Sequence, residues 1–384
     1  MTTEAFLAAP RLALDTEFVW TKTYWARLGL VQAAGSDGFD RTRLHATPPA
    51  AIPLPRDAPP DLARAVLLDP MAASSVPLGS VLRDPSTAKI LHDAHQDLVH
   101  LARWTGEKPV SVFDTKIAAG FCGFSSGLSL AKLVRELCGV ELPKTETRSD
   151  WCRRPLAGEQ LVYAAQDVAY LDEAACELAR RAEKAGTARW MMEEMERFDE
   201  PRRYEEEDVR HAVHRVSVPP GAIPREEGWR VRRRLRALAT WRETEARRRD
   251  LPRKWIVSDE TLVAAASKPP RSAAELPPKS LPPRFEEGFF AAIREADSTD
   301  FSPEEEEALR RADETARAKR EARDRATAAL ARLAELARAA GVDPALVGSR
   351  ADVTEWVVAP DDPSLKLNRG WRRELVGAEL RRFV

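Results

Sequence analysis

The sequence predicts an α/β domain on a central mixed sheet, followed by all-α helical units. Three observations carry this expectation. Short apolar runs with strand character alternate with helical stretches through the first half of the chain. Beyond about Ala188 only helical periodicity remains. The stretch Arg11–Trp20, RLALDTEFVW, has the two-residue alternation of a strand, with a polar face of unusual chemistry.

In that first strand Leu12, Leu14, Thr16 and Phe18 share one face, and Asp15 and Glu17 share the other. Two carboxylates that close on an apolar strand repel each other, and burial raises the cost of ionising both. Solvent relieves this, and so does a hard divalent cation held by oxygen ligands. Strands with two acids facing water are common, so the pair alone does not decide. The segment TKTYWARLGLVQAA reads as a second strand after a short hairpin-like connection, and residues 35–60 as a proline-rich loop or insertion. AVLLDP predicts a third strand stopped by Pro70, and LGSVLRDPSTAKILHDA a short helix and another buried strand. HDAHQDLVHLARW turns helical, with Asp97 near its N-terminal end, where the helix dipole favours negative charge. PVSVFDT is a further strand ending at Asp114.

Next, SLAKLVRELCG reads as a helix stopped by Gly139. LPKTETRSDWCRRPL mixes cations, an indole and a proline turn. Lys144, Arg148, Arg153 and Arg154 are candidate phosphate contacts there, while Trp151 and Pro155 suit packing equally well. GEQLVYAAQDVAYLDEAACELARR is expected as one helix with the apolar arc Leu161, Val168, Leu171, Ala175 and Leu178. Tyr163 and Asp167, four apart, form a stripe bordering that arc.

From Arg225 to Lys254 twelve cations stand against five anions, and Leu235, Leu238, Trp241 and Ala246 supply an apolar face. This is a basic amphipathic helix, suited to nucleic acid or simply to solvent. KPPRSAAELPPKSLPP is proline-rich, and from Ser302 onward the chain reads as a second helical unit.

With 384 residues, 43% hydrophobic and 32% charged, the chain can build two or three domains, and its net charge of −1 conceals the basic stretch. Cys122, Cys138, Cys152 and Cys176 form no CxxC pair and read as reduced thiols. His92, His95 and His100 fit no closed zinc set. The N-terminus lacks a signal-peptide pattern, and no apolar run is long enough to span a bilayer, so a soluble cytoplasmic protein without a membrane partner is expected.

The motifs LALDTEFVW, LHDAHQDL and YAAQDVAYL resemble, in order, the three exonuclease motifs of the DEDD superfamily in its tyrosine subclass, and most closely the ribonuclease D family. SVFDT and KTETRSDWCRRPL resemble that family as well. LRALATWRETEARRRDLPRKWIVSDETL resembles the HRDC domain that follows the nuclease in ribonuclease D. The resemblance implies an RNase H-like exonuclease domain over 1–190 with a 35–60 insertion and a helical linker over 191–222. It further implies an HRDC domain over 223–297 and a second, divergent HRDC-like unit over 302–384. The insertion departs from the compact family pattern, and the last unit matches too loosely to carry over binding residues.

Implied too is stepwise 3′ to 5′ hydrolysis of RNA with a free 3′ end, tRNA precursors above all, to nucleoside 5′-monophosphates. Two ions, Mg2+ or Mn2+, would be held by Asp15, Glu17, Asp97 and Asp167. In that assignment Asp15 bridges both ions, Glu17 and Asp167 hold the ion on the nucleophile side, and Asp97 helps hold the other. Tyr163 would orient the attacking water, since a phenol with a pKa near 10 positions better than it abstracts. A DNA 3′-5′ exonuclease and a non-catalytic RNA-binding adaptor are the alternatives. Retention of all four acids and Tyr163 argues against the adaptor. Nothing in the chain calls for an obligate protein partner, and a monomer is expected.

Overall fold

Strand β1, Arg11–Val19, organises the first half of the molecule. The computed structural model describes residues 1–44, 51–72, 78–142, 149–219, 221–223, 228–298, 307, 311, 314–315 and 317–384. Beside β1 lie β2, Arg27–Gly35, and β5, Ala88–Leu91. The backbone N–H of Ser36 donates to Arg11 O at 2.9 Å, so β2 returns antiparallel. β5 runs parallel to β1 with Arg11 opposite Ala88 and Ala13 opposite Ile90. β6, Val112–Asp114, extends the parallel side. β4, Ala65–Leu68, and β3, Ala51–Ile52, extend the antiparallel side, giving the order β3-β4-β2-β1-β5-β6.

The sheet is therefore mixed, as expected. The proline-rich stretch is more than a loop: Phe39 and Leu44 are buried and Ala51–Ile52 forms the edge strand, while residues 45–50 lie outside the described residues.

The helices of this half are α1 (Thr3–Ala8), α2 (Leu78–Leu82), α3 (His95–Thr105), α4 (Thr115–Gly120), α5 (Leu130–Cys138), α6 (Gly158–Ala169), α7 (Leu171–Ala185) and α8 (Ala188–Met195). Gly139, at φ +71°, ends α5 in the left-handed conformation that glycine adopts without a Cβ penalty. The single helix expected from Gly158 to Arg181 is broken at Tyr170, whose φ of −109° and ψ of 0° leave helical geometry. Partners distant in sequence account for the break. The Tyr170 hydroxyl bonds Asp61, and Asp172 in the first turn of α7 takes the Arg11 guanidinium at 2.5 Å.

By their packing the described residues form two units. The first comprises Met1–Val19, Leu28–Glu205 and Thr315–Val384; the second comprises Trp20–Arg27 and Glu206–Glu314. The final helices, Arg323–Ala339, Arg350–Val358 and Gly370–Leu380, thus share the core of the sheet domain rather than closing a core of their own. Asp343 N–H donates to Gly120 O at 2.8 Å, and Trp371 meets Phe121 at 5.0 Å between ring centroids. Buried Glu194 accepts from Trp371 Nε1 at 2.9 Å and pairs with Arg372 at 2.6 Å. Local periodicity reports that these helices exist but not which core they join.

In the second unit α9 (Gly228–Arg249) is wrapped by α10 (Arg253–Ile256), α11 (Asp259–Ser267) and α12 (Glu286–Ser298). Val231, Leu235, Leu238 and Ala246 bury against Ile256, Leu262, Phe285 and Phe289. The charge count of this region overstates what it presents to solvent. Arg234, Arg242, Arg247, Arg248, Arg249 and Arg253 each pair with a carboxylate, and Arg225 lies outside the described residues. No helix among the described residues is long and apolar enough to cross a membrane.

Candidate active site

Two elements bring carboxylates together. β1 presents Asp15 and Glu17, and α6 presents Asp167 one turn after Tyr163. Carboxylate oxygens of Asp15, Glu17 and Asp167 all lie within 4.8 Å of one another. The packed arc of α6, Leu161, Ala164, Ala165 and Val168, fixes which stripe faces β1.

Asp97, in the first turn of α3, is buried and takes a different partner: it accepts from the Thr16 hydroxyl. The structure therefore gathers three of the four expected acids and leaves the fourth beside them, close enough that its charge raises the pKa of the other three.

Electrostatics record the crowding. Burial pushes Asp15 well above the usual carboxylate range, and the charges of Asp97, Asp167 and Glu17 push it further. Glu17 is raised to about 8, by burial first and then by Asp167 and Asp97. Asp97 and Asp167 are each raised to about 7, chiefly by burial, although bonds from Thr16 and Tyr163 respectively work in the opposite direction. Burial and the neighbouring acids also hold the Tyr163 phenol well above its ordinary value, so it stays protonated and can only donate or orient. Unlike zinc, whose common ligands are nitrogen and sulfur, hard divalent cations prefer oxygen, and an all-oxygen set whose members repel one another fits such an ion.

The roles of some positioning groups are not visible in the sequence. Asp114 accepts from the backbone N–H groups of Asp93, Ala94, Lys116 and Ile117 at 3.2, 2.9, 2.8 and 3.2 Å. It thereby pins the turn that launches α3, including Asp93 at φ +64°, a left-handed conformation uncommon for a residue with a Cβ. Thr16 alternates with the apolar residues of β1, and a hydroxyl on such a face is the one sign of its role that the sequence carries.

Among the candidate substrate cations, Lys144 and Arg148 lie outside the described residues. Arg153 is exposed. Arg154 has its donors committed within the domain, bidentate to Asp69 at 2.7 and 2.8 Å and to the carbonyls of Gly29 and Trp151. Trp151 is buried against Gly29, where an added Cβ would stand 2.5 Å from Trp151 O. His92 bonds Thr115 Oγ1 and Leu128 O at 2.9 and 3.0 Å, which gives it a packing role.

Comparison with known proteins completes the assignment. Residues 2–182 match the 3′-5′ exonuclease family and residues 231–277 the HRDC domain. Fold and matches together define a 3′-5′ exonuclease joined to an HRDC domain. The chain is 30% identical to ribonuclease D of Desulfotalea psychrophila over 379 residues, covering 95% of this chain and 90% of that one. It is 32% identical to ribonuclease D of Granulibacter bethesdensis, covering 96% and 86% respectively. The crystal structure of Escherichia coli RNase D, described as an exoribonuclease involved in structured RNA processing, superposes with a TM-score of 0.75 at 28% identity over 99% of this chain and 94% of that one. The chain belongs to the ribonuclease D family, and it is an exoribonuclease of a kind that uses divalent metal.

Proposed function

We propose that the protein trims the 3′ ends of RNA, tRNA precursors among them, to nucleoside 5′-monophosphates with two bound Mg2+ or Mn2+ ions, acting as a cytoplasmic monomer. The observation that carries this reading is the meeting of Asp15, Glu17 and Asp167 oxygens within 4.8 Å, with the Tyr163 phenol one helical turn from Asp167.

When bound, the ions stabilise the attacking and leaving oxygens of an in-line displacement. Asp15, central in the charge network, is the residue suited to contact both. Glu17 and Asp167 complete the nucleophile side. Asp97 serves the other side, and that role requires its carboxylate to turn from the Thr16 hydroxyl or to offer its second oxygen. Tyr163 holds the attacking water in line through a phenol that does not ionise at neutral pH. Arg153, Lys144 and Arg148 are kept as candidate phosphate contacts. The proposed division is exonuclease over 1–190, linker over 191–222, HRDC domain over 223–297 and a second, divergent HRDC-like helical unit over 302–384, whose final helices pack on the exonuclease core.

The decisive assay uses a tRNA with a 3′ extension and a matched single-stranded DNA, with Mg2+ and with Mg2+ plus chelator. Ladder-like shortening of the RNA alone, abolished by chelator, is the expected result. Shortening of DNA at an equal rate, or activity that survives chelation, overturns the reading. Replacing Tyr163 with Phe should lower kcat by about a hundredfold through misplacement of the water while Mn2+ affinity, measured by calorimetry, changes little. Matching losses in both would remove the orienting role.

A further inference from the structure

We propose that a groove in the second unit is a subsite for single-stranded RNA 5′ of the bond being cut, with Trp20 as its base-stacking platform and Lys254 as a phosphate contact. The proposal rests on the exoribonuclease reading and adds to it where the rest of the strand goes.

The groove has a volume of about 620 Å3 and is lined by Trp20, Thr21, Thr23, Arg253, Lys254 and Ser258, among others. Trp20 is the most exposed tryptophan among the described residues, at 55%. A singly exposed aromatic is ordinary on a protein surface. This one is held still, because its Nε1–H donates to Tyr24 O at 3.0 Å. One edge of the indole is thereby anchored, and more than half of the residue's surface remains open to solvent.

The segment that carries Trp20 is itself fixed by the helical unit. Tyr24 is buried, and its hydroxyl bonds the carboxylate of Glu243, which is 1% exposed. Arg253 lies over the Tyr24 ring at 4.8 Å and bonds Glu243 at 2.6 Å, and Arg247 covers the ring at 5.8 Å. Trp25 N–H donates to Asp250 at 2.9 Å. The wall beneath Trp20 is thus preorganised, which limits the ordering cost that binding would otherwise carry.

The groove's charges are mostly matched within the protein. Arg242 holds Asp259, and Arg215 and Arg253 hold Glu243, while Glu260 at the rim bonds only the Ser258 hydroxyl and keeps its negative charge. Lys254 is exposed and forms no ion pair among the described residues, so it can meet a phosphate without giving up a partner. An anchored aromatic face, a cation without an ion-pair partner and the Thr21 hydroxyl are parts a nucleic-acid strand uses: stacking for the base, charge for the phosphate, a hydrogen bond for the sugar. Connectivity supplies the link to catalysis. β1 carries Glu17, and Trp20 follows three residues later, at most about 11 Å of extended chain.

The test is direct binding of the full chain in chelator, where no cleavage occurs, read by anisotropy of labelled single-stranded RNA. On an RNA of about ten nucleotides, Trp20→Ala should raise Kd by about tenfold, and Trp20→Phe should restore most of it. On a trinucleotide the ratio of variant to wild-type Kd should be smaller. Lys254→Ala should flatten the dependence of log Kd on log salt by about 0.7, the contribution of one phosphate contact on a single strand. Wild-type binding by Trp20→Ala, equal weakening by Trp20→Ala and Trp20→Phe, or a loss independent of RNA length each overturns the subsite. If the wild type binds RNA in a Trp20-dependent manner yet shortens none with Mg2+ or Mn2+, the exonuclease reading fails while the subsite stands.

Discussion

Asp15→Asn should lower kcat/KM on RNA by about a thousandfold, because the stabilisation a metal centre gives the transition state is several kcal/mol and 1.36 kcal/mol is a factor of ten. The amide keeps the size and loses the charge. It cannot supply the negative oxygens that balance divalent cations, and Asp15 is the acid on which Asp97, Asp167 and Glu17 all act. Metal-free stability should move the other way. Without metal, burial and the charges of Asp97, Asp167 and Glu17 all oppose ionisation of Asp15, and an amide has no such cost, so the Tm of the variant in chelator should be equal to or above that of the wild type. This pairing separates a catalytic ligand from a structural acid, whose loss would lower both quantities. Full Mg2+-dependent activity in a folded Asp15→Asn protein would remove Asp15 from the site.

The same residue shows what a local pattern can and cannot carry. Alternation placed Asp15 and Glu17 on one strand face, and four-residue spacing placed Tyr163 and Asp167 on one helix stripe, since each motif lies within one element. The partners between elements were not legible. Thr16 finds Asp97 81 residues away, and Arg154 finds Asp69 85 residues away. Asp114 reads as a strand's last residue, and only the fold shows it gripping the turn before α3. The end of the chain makes the point at larger scale. Arg323–Ala339 is an amphipathic helix whatever it packs on, and the sheet-domain core it joins is set by contacts such as Trp371 with Phe121 and Arg372 with Glu194. The segment Trp20–Arg27 looks like a simple hairpin connection, yet Tyr24 and Glu243 tie it to helices more than two hundred residues later. A basic run is likewise only an upper bound on exposed charge, because the fold draws Arg234, Arg242, Arg247 and Arg253 into ion pairs with Asp297, Asp259 and Glu243.

On the proposed assignment, metal binding by the crowded acids releases protons. Asp15, Glu17, Asp97 and Asp167 all have folded-state pKa values raised above the unfolded value of about 4. The metal-free folded chain therefore holds more protons than the unfolded chain over the window from about pH 4 to the Glu17 value of about 8. The sign follows: the stability these groups contribute is present at the acid end and is lost as pH rises through 7 and 8. In chelator, Tm should consequently climb as pH is lowered from 8 to about 6, until other groups in the protein begin to titrate. Bound cations need the ionised carboxylates, so affinity runs oppositely and should weaken by about tenfold per pH unit below 7 for each proton displaced. Calorimetry of Mn2+ binding at pH 7 in two buffers of different ionisation enthalpy should report protons released on binding. The Asp167→Asn variant should release fewer, because one titrating carboxyl is gone and Glu17 has lost the neighbouring charge that raises it most. Metal binding without proton release, or an affinity flat between pH 6 and 8, would mean that these carboxylates already face the solvent ionised and that the cluster is not the metal centre.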